Sequence, residues 1–489
     1  MSTLRRIAKN ASVTFVSNNL LKIISTALVI LIARYLGDVE YGKFTFALSF
    51  TGLFLVLMDL GTRILIVREI SQNKKEASRI VANVLMLKFI SSFLVYLLIL
   101  SAAFILNYSR ETIIAIAIAA FGLVFESLSM TVSSIFQALE KLEIPAMTRV
   151  IRIIIRFAFT VPLLIKGSSF LLILIVYAFV HFLDFFVSMA ICYKRFVKLS
   201  FELDKKFIMS LAKRAFPFML SGIFVTVYFR IDITLMSKLA PTAMQGIYSN
   251  ASRDAVIGWY SSAYNLLDFV TSLAGAVSIS ILPIAVVYFK ESKEKLIKLY
   301  STSVRFLLYL SIPIAVGTSL LADKIIFLVY GIEYANATLA LRILIWTMVP
   351  LCINYMMGAM MIATHNERKG VIVLFLNAII NILLNLYLIP KYSLYGAALA
   401  TALTEVFYFS GYYFIISKSL YTLNLLKIIF KPSIASAVMG IVIYYFIAYN
   451  VFVLILLGAA IYFAMMLLFR AVSEEEKELV RRIFVEKKI

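Results

Sequence analysis

Charge is scarce in this sequence, and negative charge most of all. Of 489 residues only 15% are charged, with 26 Asp and Glu against 47 Lys and Arg, while 62% are hydrophobic. A soluble domain averages about 45–50% apolar and about 25% charged, so a soluble globular protein is excluded. Histidine occurs twice and cysteine twice. Cys192 and Cys352 fall within or at the end of apolar runs, which leaves no disulfide framework, and no metal-ligand spacing is present. Nucleophile-elbow and Walker motifs are also absent, and no loop is long enough for a catalytic domain, so the expectation is that the chain is not an enzyme. Alternation of period two is missing, which argues against an outer-membrane barrel. Residues 1–10 are basic, but the apolar run after them is span-length and lacks a small-residue cleavage site, so no cleavable signal is expected.

What the sequence does contain is one long apolar run after another. Helices satisfy their own backbone hydrogen bonds and can therefore cross lipid. Fourteen spans are expected, at roughly 11–34, 42–62, 80–106, 112–138, 144–166, 169–193, 210–238, 256–288, 303–321, 339–363, 370–390, 394–417, 431–449 and 451–469. With both termini in the cytoplasm, the inner segments hold about 31 of the 47 Lys and Arg and the outer ones about 9, as the positive-inside rule requires. The net charge of +21 thus reflects insertion topology and attraction to anionic headgroups. No basic soluble domain exists to bind nucleic acid. Residues 474–489 read as a short amphipathic cytoplasmic tail.

A short template recurs: Gly, any residue, aromatic, Ser or Thr, any residue, Ala. It is written as Gly42-Lys-Phe44-Thr45-Phe-Ala47, Gly246-Ile-Tyr248-Ser-Asn-Ala251 and Gly258-Trp-Tyr260-Ser261-Ser-Ala263. The copies at 42 and 258 open spans 2 and 8, six spans apart, which implies a parallel repeat. The expected organisation is residues 1–193 (spans 1–6), a cytoplasmic linker at 194–209, residues 210–417 (spans 7–12), and residues 418–489 carrying spans 13–14 as an appendix. The copy at 246 sits in an insertion at 241–253, read as a local duplication or a short surface helix.

The run Ile389-Pro390-Lys391-Tyr-Ser393-Leu-Tyr395-Gly396-Ala397-Ala398-Leu-Ala400-Thr401 resembles the span 11–12 hairpin of polysaccharide flippases. Tyr330-Gly331-Ile-Glu333-Tyr334 with Ala340-Leu341-Arg342, Gly258-Trp259-Tyr260 with Ala263-Tyr264, and Phe136-Gln137-Ala138-Leu139-Glu140-Lys141 carry the same likeness. Over nearly its whole length the chain is similar to Wzx-type oligosaccharide flippases of the MATE-like (MOP) superfamily. That resemblance implies an all-α integral membrane fold with two pseudo-symmetric six-helix lobes in a V around a central cavity, plus two C-terminal helices. It also implies a polyprenyl-diphosphate-linked oligosaccharide as substrate, flipped by alternating access. A multidrug antiporter of the same superfamily is the alternative. No cofactor is expected beyond coupling to a proton or sodium gradient. The expected partners are the lipid-linked substrate, membrane lipids and other polysaccharide-assembly proteins.

Such a substrate needs cations for its diphosphate and amides or aromatics for its sugars. A charge within a span faces a bundle interior or cavity rather than lipid. Lys22, Arg149, Arg152, Arg156 and Arg230 are the expected diphosphate contacts; Arg149, Arg152 and Arg156 share one helix face. Snorkelling to the interface is the alternative for Arg149 and Arg152. Asn377, Asn381 and Asn385 form an amide ladder on span 11, expected to touch sugar or to bond between helices. Trp259, Tyr260 and Tyr264 are expected either to stack on sugar or to anchor at the interface. Asp232, Asp268 and Glu405 are the candidates for ion coupling, or for neutralising Lys22, Arg230 or Arg305. His181 and Asp184 read as a packed polar pair.

Overall fold

A computed structural model of the chain describes residues 3–73, 76–197, 204–244, 248 and 250–471. The helices run in chain order as α1 (Thr3–Gly52), α2 (Leu55–Asp59), α3 (Thr62–Gln72), α4 (Ala77–Ile105), α5 (Arg110–Ala138), α6 (Glu143–Ile165), α7 (Phe170–Arg195) and α8 (Lys205–Leu239). They continue as α9 (Arg253–Glu291), α10 (Lys293–Leu320), α11 (Ala322–Val329), α12 (Ala337–Leu344), α13 (Met348–Ala363), α14 (Glu367–Ser419), α15 (Leu425–Tyr445) and α16 (Val451–Leu468). The helix starts are chemically marked: Ser109, Asp204, Ser292, Asn424 and Asn450 each accept a backbone N–H of the first turn, which satisfies a donor the helix itself cannot.

Among the described residues ten helical stretches are long and apolar enough to cross a membrane, and the chain is a multi-pass membrane protein. The difference from fourteen is one of counting. The α1–α3 stretch and α14 each hold two expected spans, α6 is disqualified by its arginines, and α8 is bent by 44°. The breaks are local. α1 turns at Gly37, whose φ of 73° suits glycine, and α14 turns at Ser393, with a φ of 53°. Between α2 and α3 the helix is interrupted at Leu60 and Gly61, both at positive φ.

Packing groups the chain into two compact units: Met1–Asn265 with Val371–Ala400, and Leu266–Gly370 with Thr401–Ile489. The division expected at 194–209 follows the repeat, whereas the units follow contact and place 210–265 and 371–400 with the first six spans. In the first unit, Leu65, Ile66 and Ile70 of α3 pack with Ile80 and Val84 of α4, Val132 and Phe136 of α5, and Leu211 and Ala215 of α8. In the second, α15 and α16 are seated on α10 rather than appended. Met439, Ile443, Leu454 and Tyr462 form one cluster with Leu321, and the Tyr462 hydroxyl donates to the Tyr309 carbonyl at 2.7 Å. Large apolar side chains elsewhere on the helices, such as Phe89, Phe93 and Leu94 of α4, are exposed, as lipid-facing residues are.

The described part of the 241–253 segment is not helical before Arg253, where α9 begins. Met244 and Tyr248 exchange backbone hydrogen bonds of 2.8 and 3.0 Å, and the Tyr248 hydroxyl donates to Ser393 Oγ at the α14 break. Gly246 and the rest of its template lie outside the described residues apart from Tyr248, Asn250 and Ala251, as do the core of the linker and the tail at 474–489.

Candidate functional site

The first unit holds a cavity of about 540 Å³ lined by Lys22 of α1, Glu126 of α5, Arg149, Arg152 and Arg156 of α6, Tyr177 and His181 of α7, and Arg230 of α8. All five cations expected to meet a diphosphate open onto this one space, against a single carboxylate among the described lining residues. The three arginines of α6 point the same way because residues three and four apart on a helix share a face. Arg149 is exposed, Arg152 and Arg156 are partly buried. Ser25 and Thr51 add hydroxyls to the lining.

Arg152, Arg156 and Arg230 are each held differently. Arg152 donates to Asp184 Oδ2 at 3.1 Å. Arg156 lies 3.9 Å from the Tyr177 ring centroid, close enough for cation–π attraction, and its Nη2 donates to His181 Nε2 at 3.0 Å. The His181–Asp184 pair expected from spacing is therefore replaced by two cross-helix pairs, because α6 offers each of them a guanidinium. Arg230 passes directly over Gly52: a Cβ there would stand 2.5 Å from its Nη1. Gly52 and Tyr177, which also line the cavity, were not singled out by the sequence. A glycine in the last turn of α1 and a tyrosine one turn before His181 were the only signals available.

Other intramembrane charges lie apart from the cavity lining. Lys88 is fully buried, and its Nζ donates to Asp59 Oδ1 at 2.5 Å and to the Ser127 carbonyl at 3.4 Å. Asp232 of α8 is 4% exposed. It accepts from the Tyr260 hydroxyl at 2.8 Å and from Asn385 Nδ2 at 2.8 Å. Asn385 Nδ2 also reaches the Asn381 side-chain oxygen at 3.1 Å. The amide ladder thus faces protein: Asn377, Asn381 and Asn385 are all 0% exposed, so in this conformation none touches a sugar. Trp259 and Tyr260 are buried too, at 5% and 1%, because Tyr260 serves Asp232 and Trp259 packs on Tyr248 and bonds the Asp38 carboxylate. Tyr264 is partly buried and packs on Tyr260.

In the second unit Glu405 is 1% exposed and accepts from Asn354 Nδ2 at 2.7 Å. Asp268, expected to be a buried carboxylate, is exposed. It stands on a face of α9 that leaves its side chain uncovered. No group of three or more metal-ligating side chains occurs among the described residues.

The comparisons with known proteins decide the family. The family described as Polysaccharide biosynthesis protein matches residues 7–286, more than half of the chain. The chain belongs to the polysaccharide biosynthesis protein family. A second family, Lipid II flippase MurJ, matches residues 250–463. Among curated relatives, the chain is 26% identical over 204 residues to the lipid II flippase MurJ of Bacillus subtilis, and 25% over 163 residues to a probable low-salt glycan biosynthesis flippase, Agl15, of Haloferax volcanii. These matches cover 41% and 33% of the chain and only 37% and 34% of those relatives. It is 23% identical to the capsular polysaccharide biosynthesis protein CapF of Staphylococcus aureus over 83% of the chain and 98% of CapF. In fold, this family member resembles a lipid II flippase MurJ in an inward closed conformation, at a TM-score of 0.77 and 18% identity over 94% of the chain and 99% of the flippase. An inward-facing multidrug MATE transporter of the MOP superfamily follows at 0.63 and 17% identity, over 81% of the chain and 95% of the transporter. At those identities the likeness is one of fold.

Proposed function

We propose that the chain moves a polyprenyl-diphosphate-linked oligosaccharide across the cell membrane by alternating access, for surface polysaccharide or glycan assembly. In this reading it is a transporter with no catalytic step. The observation that carries it is the convergence of Lys22, Arg149, Arg152, Arg156 and Arg230 on one cavity. Collecting five cations within apolar helices is costly unless an anion or water meets them. Guanidinium groups bind phosphate oxygens bidentately, and Lys serves as a point charge. The cavity lies within the range of about 300–1,000 Å³ usual for small-molecule sites, enough for a diphosphate and the sugar beside it. Ser25, Thr51 and Tyr177 offer that sugar hydroxyls. The names of the relatives, two flippases and a capsular polysaccharide protein, point the same way. Multidrug antiport draws on the MATE likeness, but five cations against one carboxylate repel a cationic drug.

Coupling to a sodium or proton gradient belongs to the same proposal. Asp232 with its amide and hydroxyl neighbours, and Glu405 with Asn354, are the buried carboxylates suited to it. Membrane lipids surround the helices, both termini face the cytoplasm by the Lys and Arg distribution, and other polysaccharide-assembly proteins supply and receive the substrate.

The test is reconstitution into liposomes with a fluorescent lipid-linked sugar, scored by its accessibility in each leaflet. A charge-assisted contact is worth about 1.5–3 kcal/mol, so Lys22→Gln with Arg230→Gln should weaken head-group binding by roughly tenfold or more per contact. Normal transport by the folded double variant would end this reading.

A further inference from the structure

Arg156 is fixed to His181 in a way that dictates the histidine's protonation. A guanidinium has donors and no acceptor, so the 3.0 Å contact between Arg156 Nη2 and His181 Nε2 requires a lone pair on Nε2. The imidazole is therefore neutral here, with its proton on Nδ1. The pairing is poorly satisfied: Nδ1 of His181 and Nε of Arg156 are both buried without a hydrogen-bond partner. Unmet buried donors are expensive, and a phosphate oxygen that accepts from Arg156 Nε removes one of them. Glu126 stands on the other side, its Oε2 3.9 Å from His181 Nε2.

We propose that His181 takes up a proton when a diphosphate draws Arg156 away, and then pairs with Glu126. This deepens the flippase reading and rests on it. Two physical effects act in the same direction. Once Arg156 turns to phosphate oxygens, the Nε2 lone pair faces the Glu126 carboxylate, a repulsion that a proton on Nε2 converts into a charge-assisted hydrogen bond. The cations around the cavity also oppose an imidazolium until an anion neutralises them. Those facing His181 are Arg152 and Arg156 from α6, with Arg149, Lys22 and Arg230 on the same cavity. Glu126 comes from α5; Tyr177 and Asp184 share α7 with His181, and Asp184 is engaged by Arg152. The proton comes from the acid form of the solvent buffer and returns to its base form when the head group leaves. By reciprocity, affinity for the diphosphate rises as pH falls, by at most about tenfold per pH unit for a single proton.

The experiment is calorimetry of the purified protein with farnesyl-diphospho-N-acetylglucosamine, a diester whose phosphates do not titrate near neutral pH. Running it in two buffers of different ionisation enthalpy counts protons. The wild type is expected to take up close to one proton per probe bound, His181→Gln none, and Glu126→Gln markedly less than the wild type. A parallel measurement on unsubstituted His181 follows its imidazole resonance by NMR in a His365→Gln background, where it is the sole histidine. It is expected to move to the protonated position on adding probe. Binding without proton uptake, uptake undiminished in His181→Gln, or an unmoved resonance overturns the proposal and leaves the flippase reading standing. Failure of the wild type to bind the probe, or equal binding by the Lys22→Gln, Arg230→Gln variant, overturns the cationic cavity itself and this inference with it.

Discussion

Gly42 and Gly258 are seated on each other's helices. A Cβ on Gly42 would stand 1.7 Å from the Asp254 carbonyl oxygen, and one on Gly258 would stand 2.1 Å from that of Asp38. Each aspartate lies four residues before the glycine of its own template copy, so the two contacts are equivalent. The correspondence extends along both segments. Thr45 and Ser261, each three residues past its glycine, are joined by a hydrogen bond of 3.2 Å. Trp259 and Lys43, each one residue past, act on Asp38 and Asp254 respectively. Asn265 Nδ2 donates to the Tyr41 hydroxyl at 2.6 Å. The sequence carries the template at 42 and 258 because the two copies pack against one another. Close backbone approach through small residues is how helices associate tightly in lipid.

If the chain works by alternating access and this contact opens and closes in the cycle, a first prediction follows. Overpacking costs about 1–3 kcal/mol, and a bias of that size shifts a two-state equilibrium by about 5–150-fold. Gly42→Leu should therefore hold the segments apart. Cysteines at Thr45 and Ser261 should crosslink in the parent chain, stop transport while oxidised, and fail to crosslink when Gly42→Leu is added. Efficient crosslinking in the triple variant would show that the glycines do not set the contact.

How much of this was legible beforehand differs by residue. All fourteen expected spans are helical, because a continuous apolar run in lipid has only that solution among helices and closed barrels. The turn at Gly37 left a glycine to notice, whereas those at Leu60 and Ser393 put ordinary residues at positive φ, which no composition signals. Lys22, Arg149, Arg152, Arg156 and Arg230 were found because a cation within an apolar helix must face inward. The asparagine ladder was visible as a buried polar stripe, but its partner, Asp232, lies on α8, and one helix does not reveal what packs against it. Trp259 and Tyr260 went the same way. An aromatic beside an expected boundary reads as an anchor until the opposite copy of the template is seen to cover it.

Lys88 and Asp59 make a second prediction. Removing one partner of a buried ion pair costs about 3–5 kcal/mol, whereas replacing both with apolar residues is often neutral. Lys88→Met should sharply lower the yield and thermal stability of the protein, because Asp59 then lacks a cation in the short α2 segment. Adding Asp59→Leu should restore most of the loss. A single variant as stable as the parent would mean that the pair does not lock α2 to α4.

Asp204 gives a pH dependence. Its carboxylate caps α8 through the N–H groups of Phe207 and Lys206, at 3.0 and 2.9 Å, and accepts from Arg79 at 2.5 Å. The backbone bond from Phe207, followed by the Arg79 side chain, holds its pKa below the usual carboxylate value. A depressed folded pKa means stability that is present above the unfolded pKa of about 3.9 and lost as pH falls through the lower folded value. The difference in thermal stability between the parent and Asp204→Asn should be constant near neutrality and shrink in acid. A difference that persisted unchanged below that window would assign the effect to packing.

The last prediction concerns Asp232. Its carboxylate receives one hydroxyl and one amide, yet Asn385 Oδ1 and both side-chain atoms of Asn377 are buried without a hydrogen-bond partner. Carbonyl and carboxylate oxygens are the ligands that hard cations take, and an unpaired buried amide oxygen is a cost that such an ion removes. If an ion gradient drives transport through this cluster, Asp232→Asn should abolish the dependence on sodium or pH while the protein stays folded, since an amide keeps the shape and removes the charge. Asn385→Leu should weaken the same dependence by about tenfold, the value of one lost contact of about 1.4 kcal/mol. Glu405→Gln, in the other unit, is the control that separates the two buried carboxylates. Gradient dependence that survives Asp232→Asn and vanishes in Glu405→Gln would move the coupling to the Glu405–Asn354 pair.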